Sequence, residues 1–465
     1  VICCPLAAFD GAELMATREP GIEAAAARAP ARAPGGALLL LLALGPLPAR
    51  AQETPPGVNQ DELDFQARTS LAIGSGARAF GMGGAFLARA DDATAASWNP
   101  AGLSYLRLPE FSVVGSWGSL DSEVFTTGGD ALSVLQDDSS KGATPDFASV
   151  TYPFEIRGRS ASAQFSFQRV FAFQGERTIL RQPNTLVLES RGGFDSLAVG
   201  TGVQVSQRLR IGATLNRWFN GFRQTRERVE GRPSDQVVNF DLSGWNFNLG
   251  AIWSPRPELN LALAGRTQFT GKVALDRTRI DFPSPDHPQT TTNGFSSEEV
   301  RLDFPGAFGV GASWRPRSTL TLSADYTRTF WSSASIHNFF TLPITGQPLP
   351  PDDLFPELPY PTLESEQTDT EQFRFGFEYV VLGKRVKVPL RFGLFSDRQY
   401  FRAADGSIPR FLGFTVGGGV LVGPILFDIA YLYEDGSYSG GSGTEAGVRI
   451  RRFYASLIYR HQAQP

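Results

Sequence analysis

The sequence predicts an all-β protein: a 14-stranded antiparallel transmembrane β-barrel with a small N-terminal plug, or hatch, in its lumen. Three observations predict it. From Pro109 onward, apolar and aromatic residues alternate with small polar ones at period two. The connections between these stretches alternate long and short. A glycine- and alanine-rich stretch without strand character, Gly74 to Leu103, precedes the first of them.

The N-terminal residues come first. Met15 reads as a start, with Val1 to Leu14 upstream of it. Arg18, Arg28 and Arg32 lead into an apolar run, Ala37 to Leu47, and Ala49-Arg50-Ala51 has the A-x-A form of a cleavage site. That order is the pattern of a secretory signal peptide, so 1–51 are upstream residues and signal peptide, leaving Gln52 first in the mature chain. The apolar run, about 12 residues, is short of the ~20 that a helical span needs. Cys3 and Cys4 both fall in this part, so the mature chain is expected to hold no disulfide, thiolate metal site or cysteine-linked lipid.

Residues 52–108 are expected to form a periplasmic and hatch segment. Asp61 to Leu71 suits a short helix capped by Asp61. In the next stretch Gly81, Gly83 and Gly84 crowd together, Asp91-Asp92 follow, and Asn99-Pro100-Ala101-Gly102 ends it. The acidic pair is read as a cap on a turn or two of helix reaching Ser97, because carboxylates there accept free amide protons. Calcium is the competing reading, but few further oxygen ligands lie nearby. Asn99-Pro100 ends the helix.

Residues 109–465 are the predicted barrel. Expected strands are 110–117, 147–154, 160–174, 194–206, 209–225, 237–254, 258–275, 298–315, 318–337, 371–382, 386–400, 410–422, 425–436 and 447–460. In the clearest, Phe373, Phe375, Phe377 and Tyr379 form one face and Arg374, Gly376 and Glu378 the other. Small polar residues suit a crowded lumen. Large apolar ones suit lipid, with Trp253 and Trp314 near turns as girdle candidates. In the third strand the alternation breaks at Arg169 and Val170. The break is read as the strand leaving the membrane in preference to a bulge or kink.

Loop parity supports a membrane barrel over a sandwich. Short connections such as Gln207-Arg208, Arg315-Pro316-Arg317 and Gly423-Pro424 alternate with long ones, Gly118–Asp146, Gly175–Gly193, Asp276–Ser297 and His337–Thr370. Tight turns belong on the periplasmic side, which puts the segment before the first strand at the inner mouth. In the last of the long loops Phe339, Phe340, Leu342, Ile344, Leu354, Phe355 and Tyr360 suit either a landing site for an apolar ligand or a small loop core.

Catalytic chemistry is not visible. The three histidines, His287, His337 and His461, fall in loops or the tail, and no nucleophile, zinc or nucleotide motif occurs. Neither catalytic residues, metal ligands nor a cofactor are expected. Charged residues make up 19% of the chain, below the ~25% of soluble domains. No polybasic run suggests nucleic acid.

Gly76-Ala77-Arg78-Ala79-Phe80-Gly81-Met82-Gly83-Gly84-Ala85-Phe86, with Asp91-Asp92 and Asn99-Pro100-Ala101-Gly102-Leu103, resembles the FadL-type outer-membrane transporters of long-chain fatty acids and aromatic hydrocarbons. It resembles equally their PorV-type relatives. The resemblance covers about 30 residues of motif, and beyond them the barrel architecture. It implies a hatch ending near Leu103, with Asn99, Pro100 and Ala101 among its fixed elements. It also implies apolar ligands that land on outer loops and leave sideways through a kinked third strand. Expected partners are outer-membrane lipid, a small hydrophobic ligand and the barrel-assembly machinery during insertion, with the protein a monomer. The alternative is a PorV-like barrel that holds or shuttles secreted proteins, or a structural surface barrel.

Overall fold

The computed structural model describes residues 74–126, 138–181, 184–228, 234–282, 292–334, 368–403, 405–441 and 444–461. The proposed signal peptide, the Asp61–Leu71 helix, His287, His337 and the apolar loop residues from Phe339 to Tyr360 lie outside the described residues. Among those described, no helix is long and apolar enough to cross a membrane.

Among the described residues one sheet is formed by fourteen strands, three of which are interrupted. They are β1 (Glu110–Thr126), β2 (Asp138–Ile156), β3 (Arg159–Arg181), β4 (Asn184–Gln204), β5 (Leu209–Phe219 and Gly221–Arg228), β6 (Ser234–Arg256) and β7 (Leu259–Arg266 and Phe269–Asp281). Then follow β8 (Thr292–Phe304 and Ala307–Arg317), β9 (Leu320–Thr329), β10 (Thr370–Leu382), β11 (Lys387–Arg398), β12 (Arg410–Val422), β13 (Ile425–Gly441) and β14 (Thr444–Arg460). Successive strands pair antiparallel, and β1 pairs with β14 from Glu110↔Arg460 to Thr126↔Thr444. The sheet therefore closes on itself as a barrel.

Alternation sorts the side chains as the sequence predicts over the half of the barrel nearer the tight turns. On β10, Phe373, Phe375, Phe377 and Tyr379 face outward and are exposed, while Arg374 and Glu378 between them are buried. Trp253 and Trp314 face outward beside their turns, each about half exposed.

Strand ends differ from the sequence expectation. The expected loops Gly118–Asp146 and Gly175–Gly193 are mostly strand, and β3 and β4 are separated by residues 182–183 alone. Conversely, the expected strand 318–337 stops at Thr329 and continues as a 3-10 turn, Trp331–Ser333. The cause is common to the first two. Above the apolar band a hairpin needs pairing partners, not an apolar face, so residues such as Arg177 and Glu189 pair with ordinary register although they read as loop.

Interruptions cluster on one side of the wall. β5 breaks at Asn220, which adopts a left-handed φ of 69°, β7 at Thr267-Gln268 and β8 at Pro305-Gly306. Pro305 has no N–H to give to a ladder. β3 carries a bulge between Arg169 and Phe171 against β4, leaving Val170 unpaired. So the phase break is a bulge, against the sequence preference for a strand leaving the membrane. Strands β9 to β12 and β14 run unbroken.

Candidate functional site

Residues 74–106 fill the end of the lumen nearer the tight turns. They form α1 (Ala77–Gly81), α2 (Ala95–Trp98) and a 3-10 helix (Pro100–Tyr105), almost all buried. Their bonds reach round the ring: Leu87 N–H donates to Asp325 on β9 (2.8 Å), Gly83 N–H to Thr415 on β12 (2.9 Å), and the Ala93 carbonyl accepts from Ser149 on β2 and Gln164 on β3. A segment that touches opposite walls must lie between them.

Glycine makes that fit possible on both walls. Gly202, Gly212 and Gly250 are register partners across β4, β5 and β6. A Cβ on any of them would collide with Asn99, Pro100 or Leu103. Asn99 itself donates to the carbonyls of Leu87 (3.1 Å) and Ala251 (3.3 Å) and accepts from Ala101 N–H (3.1 Å). Opposite, Gly81 to Gly84 turn tightly over Gly376, Gly393 and Gly417, with Gly83 and Gly84 at φ of 66° and 73°. Only glycine takes two such residues in a row without strain.

A buried ionic network fastens the same segment. Arg78 bonds Asp91 (2.7 Å), Asp92 (3.1 Å) and Glu378 (3.3 Å). Arg391 bonds Glu378 (2.8 Å) and Asp428 (2.7 Å), and Arg89 meets Asp91 and Glu378. Burial alone would depress the Arg78 pKa, but the carboxylates of Glu378, Asp92 and Asp428 outweigh it and hold it above its ordinary value. This corrects the capping reading in part. Asp92 does accept from Thr94 N–H and Oγ (2.9 and 2.6 Å), but the N-cap of α2 is Thr94, and both aspartates are chiefly partners of arginine.

The loop-end half of the lumen is different. Phe171, Phe173, Phe194, Trp218, Phe222, Phe240, Phe269 and Phe304 point inward and are buried together. Phe222 stacks on Phe240 at 4.2 Å and Phe269 on Phe304 at 4.7 Å. Sequence reasoning assigned large aromatics to lipid and missed this chamber. After the bulge at Val170, and across the breaks at Thr267-Gln268 and Pro305-Gly306, the inward positions change parity, which puts Phe171, Phe173, Phe269 and Phe304 on the lumen side. Above them Trp331 stacks on Tyr400 at 5.1 Å, and Phe401 packs edge-on against Tyr438. Asp369 clasps this cover by accepting from Ser332 Oγ (2.6 Å) and Arg328 (2.9 Å). Burial pushes its pKa up, and those bonds outweigh it, leaving it below the ordinary value.

The wall beside the chamber is unpaired. β2 and β3 pair from Ile156↔Arg159 only to Phe147↔Gln168. Beyond that level β2 pairs with β1 alone and β3 with β4 alone. Arg169 leans away from the gap into a two-bond contact with Asp195 (2.8 and 3.0 Å), which also accepts from Asn220 (2.7 Å). The bulge at Val170, the end of β2–β3 pairing and the aromatic chamber therefore meet at one height. A cavity of about 70 Å³ lies there, between Leu87 and Trp98 on one side and Val170 and Trp218 on the other. Among the described residues no cluster of His, Cys, Asp and Glu suits a metal.

No family model and no curated protein matches the sequence. Solved structures match in fold. A Pseudomonas aeruginosa FadL homologue aligns over 88% of this chain and all of its own, at 14% identity and TM-score 0.58. The Ralstonia pickettii toluene transporter TbuX covers 84% of this chain and all of its own, at 15% identity and TM-score 0.54. The P. putida toluene transporter TodX covers 84% and all of its own, at 12% identity and TM-score 0.53. The chain has the fold these three share, a FadL-type barrel.

Proposed function

We propose that this chain carries apolar compounds, long-chain fatty acids or aromatic hydrocarbons, passively across an outer membrane. The observation that carries the reading is the meeting, at one height, of the aromatic chamber, the Val170 bulge and the unpaired β2–β3 wall. In this reading residues 74–106 are the hatch, and a ligand held among the rings leaves sideways between β2 and β3 into the membrane. Residues 339–360, which follow the Trp331 cover in sequence, supply the landing loop. The fold shared with a FadL homologue and toluene transporters favours the same class of cargo.

The chamber is a closed state. Rings fill the loop end and residues 74–106 the turn end, so passage requires a ligand to replace ring–ring contacts with its own. Nothing but differential affinity for the open arrangement can drive that exchange. The test is uptake by cells lacking the native gene and complemented with the wild-type chain or with Val170 deleted. Deletion removes the bulged residue, so uptake of apolar substrates is expected to fall about tenfold or more while the barrel still inserts. Equal uptake with the wild type, the deletion and no barrel at all would sink the reading.

A further inference from the structure

At the turn end the outer face of the barrel changes from apolar to cationic over a short distance. Trp314 on β8 pairs with Leu322 on β9, and Leu322 with Phe377 on β10. One outward step nearer the turns, Leu320 pairs with Tyr379. Trp314, Phe377 and Tyr379 all face outward and are exposed. Just past them two neighbouring hairpins carry five exposed cations: Arg315 and Arg317 beside the β8–β9 turn, and Lys384, Arg385 and Lys387 around the β10–β11 turn. Residues 313–319 and 380–390 contain no acid. Among the described residues no carboxylate pairs with any of the five. Cations of the loop end are arranged differently: Arg328 meets Asp369 at 2.9 Å, Lys272 meets Glu299 at 3.0 Å and Arg449 meets Asp435 at 3.2 Å. The chain as a whole has a net charge of −4, so this cationic rim is a local feature.

Five like charges gathered on adjacent turns repel one another, and an anion at their level relieves that repulsion. The depth of the cluster selects the anion. Outward Trp and Tyr side chains mark the level at which hydrocarbon gives way to head groups. Cations one step beyond therefore stand at the depth of lipid phosphates, which guanidinium and ammonium groups both bond well. The β10–β11 hairpin adds exposed Val381 and Leu382, 44% and 60%, directly before Gly383 and Lys384. Apolar side chains continuous with the lipid-facing wall suit acyl chains, where a soluble acidic partner would meet the charges alone. We infer that the rim over β8–β11 is a docking site for anionic phospholipid, with the head-group phosphate among these five cations and the acyl chains along the outward face that holds Trp314 and Tyr379. The site is separate from the lumen and does not depend on what the lumen carries.

The test places the full chain in non-ionic detergent micelles with equal amounts of phosphatidylglycerol and phosphatidylcholine, and reads the retained lipids by native mass spectrometry. Each cation near an anionic lipid is worth about fivefold in partitioning. Wild type is therefore expected to retain phosphatidylglycerol about tenfold or more over phosphatidylcholine at low salt, and less at about 0.5 M salt. The triple variant Lys384→Gln, Arg385→Gln, Lys387→Gln is expected to cut that preference about fivefold or more. Arg315→Gln with Arg317→Gln is a second, independent variant expected to cut it about threefold. Arg449→Gln, at the loop end, should leave it unchanged. Heat-dependent gel mobility checks that each barrel has folded. Equal retention of both lipids by the wild type, or a preference that survives both rim variants, overturns the inference. So does equal retention together with binding to polyglutamate beads that the triple variant loses, which would give the rim to a soluble acidic protein.

Discussion

The two halves of the lumen are filled by opposite means. At the turn end, residues 74–106 are held by directional bonds: three arginines share Glu378, Asp91, Asp92 and Asp428, and two glycine surfaces accept the backbone. At the loop end, rings pack on rings. A buried ion network tolerates one geometry, because each lost partner strands a charge. Aromatic packing tolerates exchange, because an apolar guest offers the same surface as the ring it displaces. The wall follows the same division. It is bulged and interrupted from β3 to β8, beside the rings, and unbroken from β9 to β12, where Glu378 and Arg391 stand.

The comparison breaks most sharply at Glu378. Glu378→Ala removes the acceptor that Arg78, Arg89 and Arg391 share, and is expected to destabilise the filled lumen by about 3–5 kcal/mol. In planar bilayers the variant should pass ion current where the wild type passes little, and its thermal unfolding in detergent should come earlier. A lumen that stays shut after this change would mean that the glycine surfaces alone hold the segment. The ring half should respond less. Phe222→Leu keeps the site apolar and is expected to cost on the order of 1 kcal/mol, with altered ligand affinity and no ion current. Conductance from that variant would erase the distinction between the halves.

The smallest effect is expected at the cover. Asp369→Asn loosens the clasp on Ser332 and Arg328 and should speed ligand entry with only a small fall in melting temperature. Because the Asp369 pKa lies below its ordinary value, its contribution is complete above the unfolded carboxylate pKa, about 3.9, and fades as pH falls through the depressed folded value. Entry rates of wild type and variant should therefore part at neutral pH and converge only as pH falls through that depressed value.

Most of the barrel was legible because a lipid-facing wall leaves a strong trace. Phe373 to Tyr379 and Ile425 to Tyr433 alternate so cleanly that face and register follow from sequence. The placement of Gly74–Leu103 at the turn end followed from loop parity, although only two residues separate β3 from β4 and β13 from β14. What stayed hidden depends on registers between distant strands. Gly202, Gly212 and Gly250 are scattered in sequence and become one surface only once β4, β5 and β6 are paired. Arg78 gave no sign of its partners, which lie as far as 300 residues away. The inward aromatics were misread because hydropathy names a residue's preference for oil and not which oil it meets.

The stacking of Phe80 on Tyr454 at 4.1 Å has a kinetic consequence. Tyr454 belongs to the closing strand β14, so the segment that holds Phe80 cannot finish packing until the last strand is in place. The ionic contacts to Glu378, Arg391 and Asp428 add the same delay from the C-terminal third. Contacts this distant are slow to form, since long loops must close before any of them stabilises the chain. Until β14 meets β1, the segment waits with its arginines and its turn of glycines still in water.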